Sequence, residues 1–198
     1  MRLFKSVMML LTLVLLSGWI WTPLFGDDWN RVQAADDGAF APLSSDFAGG
    51  SGTEEDPYII ETAEQLNKVR DYLDAHFKLG ADINLSTYSS GEGWLPIATV
   101  YSSPFTGTFD GNGYQITGLK INREDENYQS LFGVTSETAV IRNVHLEVVE
   151  IKGYDYIGGL VGYSYGIIEN STVTGTLIRG EMKVGGLDGI VRNDVIGS

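Results

Sequence analysis

The chain has 198 residues, a formal charge of −13, no cysteine and 25 glycines. That length fits one domain plus a leader, and the acidic balance repels nucleic acid and anionic lipid headgroups. An exported chain without cysteine has no disulfide framework, so its stability must come from packing.

The amino terminus reads as a leader. Arg2 and Lys5 form a basic start, Val7 to Trp21 is largely apolar, and Pro23 and Gly26 break the run. Val32-Gln33-Ala34 then places acceptable residues at the −3 and −1 positions of a signal-peptidase site, which predicts cleavage after Ala34. The other reading is an uncleaved anchor, because the stretch from Val7 to Phe25 is near membrane-crossing length. A membrane enters only through this segment. No cysteine follows it, which excludes a lipid-anchored lipoprotein. Loss of residues 1–34 removes Arg2, Lys5 and Arg31 with Asp27 and Asp28, leaving the remainder more acidic still.

Residues 35–50 lack periodicity and read as a linker, with order expected to begin near Gly52. Residues 51–126 then form an N-terminal capping region and first rungs. Tyr58-Ile59-Ile60 is a predicted strand. Thr62 with Gln65 makes a capping-box pattern, and Leu66, Val69, Leu73 and Phe77 recur at helical spacing, predicting a helix over Ala63–Ala75. Phe77-Lys78-Leu79 and Ala81 to Leu85 read as extended. From Trp94 onward the text is strand and turn: Phe105 to Phe109 alternates, Asp110-Gly111-Asn112-Gly113 turns, and Tyr114 to Leu119 alternates again.

Residues 127–198 repeat, the last copy incomplete. Gly159-Leu160-Val161-Gly162 returns as Gly186-Leu187-Asp188-Gly189, and Ser130-Leu131-Phe132-Gly133 is a worn earlier copy. The closing glycines, Gly133, Gly162 and Gly189, recur at nearly constant spacing. Related elements follow each tetrad: Ile141-Arg142-Asn143-Val144, Ile168-Glu169-Asn170-Ser171 and Val195-Ile196-Gly197-Ser198. Such a period marks stacked units that cannot bury their apolar faces alone. Val144, Leu146 and Val148 alternate with His145 and Glu147, and Val173 and Leu177 recur one period on. Parallel pairing of successive copies needs a long return path, which this period supplies. The helix is then a natural lid for the first rung, and the open end beyond Gly189 awaits a further rung or a partner.

Gly158-Gly159-Leu160-Val161-Gly162 and Gly185-Gly186-Leu187-Asp188-Gly189, each followed by Ile or Val and then Asn-Ser or Gly-Ser, resemble the GLUG-repeat family of bacterial extracellular proteins. The upstream motifs Asp56-Pro57-Tyr58, Thr62 to Leu66, Asp82 to Leu85, Trp94 to Ile97 and Phe105 to Gly113 resemble the region that precedes such repeats. The resemblance covers about residues 50–198. It implies an all-β fold, a right-handed parallel β-helix (solenoid) with an N-terminal capping helix, on an exported or surface protein concerned with adhesion or wall association. Some relatives carry the repeat beside a zinc peptidase domain. The first tetrad departs from the pattern at Ser130 and Phe132 and the third at Asp188, so the first reads as a transitional rung and the third as degenerate.

No cofactor or metal site stands out. Asp110-Gly111-Asn112-Gly113 lacks the later acidic ligands of a calcium loop. His76 and His145, the chain's two histidines, stand far apart in the sequence without a zinc motif. There is no Gly-x-Ser-x-Gly nucleophile. Glu124, Asp125, Glu126, Glu147 and Glu150 are candidate acid/base pairs for a polysaccharide-active enzyme. Tyr154, Tyr156, Tyr163 and Tyr165 cluster about the second tetrad, with Tyr128 one period earlier; Tyr163 and Tyr165, if outward, would stack on a sugar or peptide, and otherwise fill a corner of the coil. The expectation is a secreted or cell-surface structural or adhesive module without catalytic residues, meeting a protein or a cell-wall or host glycan. The alternatives are the non-catalytic N-terminal part of a secreted peptidase, a polysaccharide-active β-helix, or a spacer without ligand.

Overall fold

Successive strands of this chain lie on one another in parallel, turn after turn. The computed structural model describes residues 46–175 and 177–189 and the backbone of 195–196. The leader, the cleavage site after Ala34, most of the linker and the Gly197-Ser198 end of the last repeat element lie outside the described residues.

One full turn illustrates the coil. β7 (Val140–Arg142) leads through a corner to β8 (His145–Lys152), then to β9 (Asp155–Ile157) and β10 (Val161–Ser164), and β11 (Ile167–Glu169) comes to rest on β7. Earlier rungs of the same sheet are β1 (Tyr58–Ile60), β2 (His76–Leu79) and β4 (Thr108–Asp110), and β15 (Val195–Ile196) follows β11. Every pairing within this six-stranded sheet is parallel. A second sheet orders β3 (Ile83–Asn84), β5 (Gln115–Asn122), β8 and β12 (Thr172–Gly175), with β13 (Ile178–Arg179) also on β8. Smaller sheets pair β6 (Phe132–Thr135) with β10, and β9 with β14 (Met182–Val184). The fold is a parallel β-helix.

Register converts the alternation in sequence into columns. Phe77, Phe109, Ile141 and Ile168 are consecutive partners, and all are buried. Ile83, Ile116, Leu146 and Val173 form a second column, Ile121, Ile151 and Ile178 a third. Each fully buried member contributes about 1.5–3 kcal/mol, while Val173 and Ile178 at the ends of their columns are half-buried. A one-residue slip would turn every column outward, so the register is strongly specified. Leu177, grouped with Val173 by its recurrence, faces the other way and is exposed.

The turn length is not constant. Arg142 meets its register partner Asp110 across 32 residues of chain, whereas Thr172 meets its partner His145 across 27 residues. The turn before the longer one, from Lys78 to its register partner Asp110, carries an excursion from the third sheet, that of β6 and β10. Ile97 pairs with Phe132, the chain leaves at Ala98 in the left-handed region, and Phe105 returns beside Thr135. Tyr101 rides on this excursion.

Two expectations need correction. The helix is shorter than Ala63–Ala75: α1 spans Ala63–Lys68 and gives way to a 3-10 turn at Val69–Asp71. The capping box forms, Gln65 N–H donating to Thr62 Oγ1 at 3.2 Å and Thr62 N–H to Gln65 Oε1 at 3.2 Å. The periodic residues end up in different structures. Leu66 and Val69 are buried from helix and 3-10 turn, whereas Phe77 is buried from β2. Arg70 pins the break by donating to Asn67 O, Leu95 O and Pro96 O, and the parallel ladder demands extended backbone from His76. Order also begins before Gly52: Ala48 N–H donates to Ile59 O at 2.9 Å, and Phe47 is buried against Tyr58, Tyr72 and Phe77.

Candidate functional site

The three tetrads stack directly. Leu131 and Phe132 N–H donate to Gly159 O and Leu160 O, and Gly159 and Leu160 N–H donate in turn to Gly186 O and Leu187 O. The closing glycines form a column. A Cβ on Gly162 would sit 2.9 Å from Gly133 O, and one on Gly189 would sit 2.6 Å from Gly162 O. Any side chain there would push the coils apart, which is why each copy closes on glycine. The first copy, with Ser130 and Phe132, shares this stacking.

This close approach draws the following strand, β10, against its neighbours and gathers five tyrosines outside it. Tyr163 is at the centre, with ring centroids 5.0 Å from Tyr156, 5.0 Å from Tyr165, 5.9 Å from Tyr101 and 6.2 Å from Tyr128. It is 7% exposed. Phenol oxygens are linked as well: Tyr101 and Tyr165 share a hydrogen bond of 2.7 Å, and Tyr163 and Tyr165 one of 3.1 Å. These bonds to Tyr101 and Tyr163 hold the Tyr165 phenol far above its ordinary pKa, because ionisation would break the donor side of the network.

A second ladder flanks the first. Tyr128, Tyr156 and Lys183 all occupy the left-handed backbone region, one above another at the same corner of successive turns. Tyr128 and Tyr156 stack at 5.1 Å, and Lys183 Nζ lies 3.8 Å from the Tyr156 ring centroid while donating to Asp155 Oδ2 at 2.9 Å. Hydrogen bonding to Tyr156 and to Asp155 raises the ammonium pKa. The cation–π geometry and the ion pair fix this corner from both sides.

The accessible surface of this cluster is therefore made by Tyr101, 53% exposed, and half-buried Tyr165, with Tyr163 supporting them from beneath. Beside these two rings is a cleft of about 300 Å³, lined by Pro104, Val134, Ser136 and Glu137 as well as the two tyrosines. Its lining mixes the two aromatic rings and Pro104 with the polar groups of Thr135, Ser136 and Glu137. Tyr163 and Tyr165 were legible as a pair near the second tetrad. Tyr101 was not, because it comes from an excursion 64 residues before Tyr165. Lys183 also carried no signal apart from its place one period after Tyr156.

The other candidate groups lie elsewhere. Glu126 pairs with Arg123 at 3.1 Å, and Glu150 with Lys152 at 3.0 Å, while Glu124 is 3.9 Å from Lys152. Glu124, Lys152, Arg179 and Glu181 line a second, charged cleft of about 250 Å³. His145 Nδ1 bonds Thr172 Oγ1 at 2.9 Å. Asp110 is enclosed by its own turn: burial raises its pKa, but hydrogen bonds from Asn143, from Asn112 N–H and from Arg142 outweigh this and hold the carboxyl below its ordinary value. Among the described residues no three acidic or histidine side chains converge as a metal site.

Known proteins place this architecture in context. Residues 153–178 match the family model described as the GLUG motif. The chain is 47% identical over 137 residues to a candidate Gly-rich membrane protein of Evansella cellulosilytica, an alignment covering 66% of this chain and 16% of that protein. It is 36% identical over 154 residues to halomucin of Haloquadratum walsbyi, covering 74% of this chain and 2% of that one. The chain thus spans a small part of the curated relatives it matches. A crystal structure of a candidate immunoglobulin A1 protease from Bacteroides ovatus superposes with a TM-score of 0.57 at 26% identity, over 67% of this chain and 42% of that one.

Proposed function

We propose that this chain, which carries the GLUG repeat, is a non-catalytic β-helical module of a surface protein, and that it makes adhesive contact through the Tyr101–Tyr165 face. The observation that carries the reading is that face. Two accessible phenol rings border a cleft of glycan-ring size, on a support held rigid by Tyr163 and the stacked tetrads. Aromatic rings stack well on the apolar faces of sugars, and Glu137 and Ser136 offer hydrogen-bond partners to hydroxyls. The names of two relatives, a Gly-rich membrane protein and a halomucin, favour placement at the cell surface. The engagement of Glu126 and Glu150 with basic side chains favours a structural role for those carboxylates over acid/base chemistry.

Retention of the purified chain on immobilised peptidoglycan and on uronic-acid polysaccharides tests the proposal. Tyr101→Ala and Tyr165→Ser should each weaken binding by about 1 kcal/mol, roughly fivefold. Undiminished retention of the double variant would reduce the module to a spacer. Release of reducing ends from the same polymers would instead make it an enzyme. One observation favours a second reading, as the non-catalytic part of a secreted peptidase: the solved neighbour is a candidate protease of which this chain covers 42%. A zinc-ligand motif in the coding sequence past Ser198 would support that reading.

A further inference from the structure

The tyrosine cluster has a second chemical property, independent of ligand stacking. Tyr101 belongs to an excursion of the third sheet and Tyr165 follows β10, yet their hydroxyls are 2.7 Å apart and their ring centroids 6.1 Å apart. The ring carbons flanking each hydroxyl are therefore within a small swing of one another, and Tyr101, exposed at the end of its loop, has freedom to make that swing. The chain has no cysteine, so no disulfide can tie this excursion to the coil. We propose that Tyr101 and Tyr165 are a site of oxidative cross-linking, forming an intramolecular dityrosine that staples the excursion to the end of β10, just after the second tetrad.

The co-reactant is hydrogen peroxide acting through a haem peroxidase, a one-electron oxidant at the cell exterior. Each phenol loses one electron and its hydroxyl proton to give a ring-delocalised radical. The two radicals join by a new carbon–carbon bond between ortho positions. Each coupled ring carbon then loses its hydrogen as a proton, and each oxygen regains one as aromaticity returns. In sum two ring hydrogens leave with two electrons, and one peroxide becomes two waters. The two hydroxyl protons and two electrons pass to the peroxide as it becomes water, and the shared hydrogen bond serves the coupling step by holding the two rings together. Tyr163, the third phenol of the network, is 7% exposed and enclosed by four rings, so it cannot swing to couple. Closing a loop of this span also restrains the unfolded chain, so the staple raises stability.

The test treats the dilute, purified full chain with a haem peroxidase and hydrogen peroxide and maps the products by proteolysis and mass spectrometry. The expected product is monomeric and contains a linked Tyr101–Tyr165 peptide pair, two hydrogens lighter than the separate peptides. Its Tm should rise by several degrees. Tyr101→Phe, at an exposed position that leaves the core intact, should abolish the pair and the rise. Tyr154→Phe, at a comparably exposed tyrosine (46%), should leave both unchanged. The same linked pair is expected in protein recovered from the source cells without added peroxide. Three results would overturn the proposal: links formed only between molecules or through Tyr154, persistence of the rise in Tyr101→Phe, or absence of the pair from the native protein. The mass readout is indifferent to glycan retention, so failure here and failure of the adhesive reading remain distinct.

Discussion

Asparagine and glycine do different work at the corners and tetrads of this coil. Asn112, Asn143 and Asn170 each take the left-handed region at the corner between the first and second sheets, where asparagine is better tolerated than other side chains. Asn143 adds a bond from Nδ2 to Asp110 Oδ1 of the turn before, which ties successive coils together. Because Asp110 is held below its ordinary pKa, the folded chain releases this proton at a lower pH than the unfolded chain. Its contribution is complete above a pH of about 4 and fades as pH falls through the folded value. Asp110→Asn should therefore lower the urea midpoint at neutral pH and flatten its decline in acid. At Gly162 the restriction is spatial rather than conformational. Gly162→Ala sets a Cβ against Gly133 O and Tyr156 O and should cost more than about 2 kcal/mol by urea unfolding, well above an ordinary surface change.

Among the elements, α1 shows how a correct local signal misjudges extent. Thr62 and Gln65 announced the helix start, and the capping box forms as expected. Apolar residues at helical spacing continued to Phe77, but that spacing also suits a 3-10 turn followed by an inward strand residue. What ends the helix lies far off in the chain, in the carbonyls of Leu95 and Pro96 that bind Arg70, and in Trp94, whose ring sits 5.3 Å from that guanidinium. Thr62→Ala removes the acceptor for Gln65 N–H and should cost about 1 kcal/mol. Loss of helical signal ahead of the global transition in thermal circular dichroism would show that α1 frays independently of the coil.

For the molecule as a whole, stability resides in columns that run through several turns. Phe109 stands in one of them, between Phe77 and Ile141, and also meets Phe132 at 5.2 Å from the third sheet. Phe109→Ala should cost about 3–5 kcal/mol, measured by chemical unfolding, because the cavity it leaves is bounded by rigid rungs on both sides. The same stacking explains why neighbouring coils of unequal length coexist: strands must stay in register, while loops between them are free to lengthen. The excursion that delivers Tyr101 is such an insertion.

Period, parallel stacking, inward columns and closing glycines could all be read from residue order, because each is a local pattern repeated at fixed spacing. Tyr163 and Tyr165 were likewise marked as neighbours of the second tetrad. Folding in three dimensions was needed to make Tyr163 the buried support and Tyr101 the exposed partner, and to set Lys183 on the Tyr128–Tyr156 stack. Those contacts join residues from different turns through side chains on the outer face, where alternation leaves no trace of which residue will meet which. A buried face must be apolar and so writes itself into the sequence; an outer face is chosen by geometry alone.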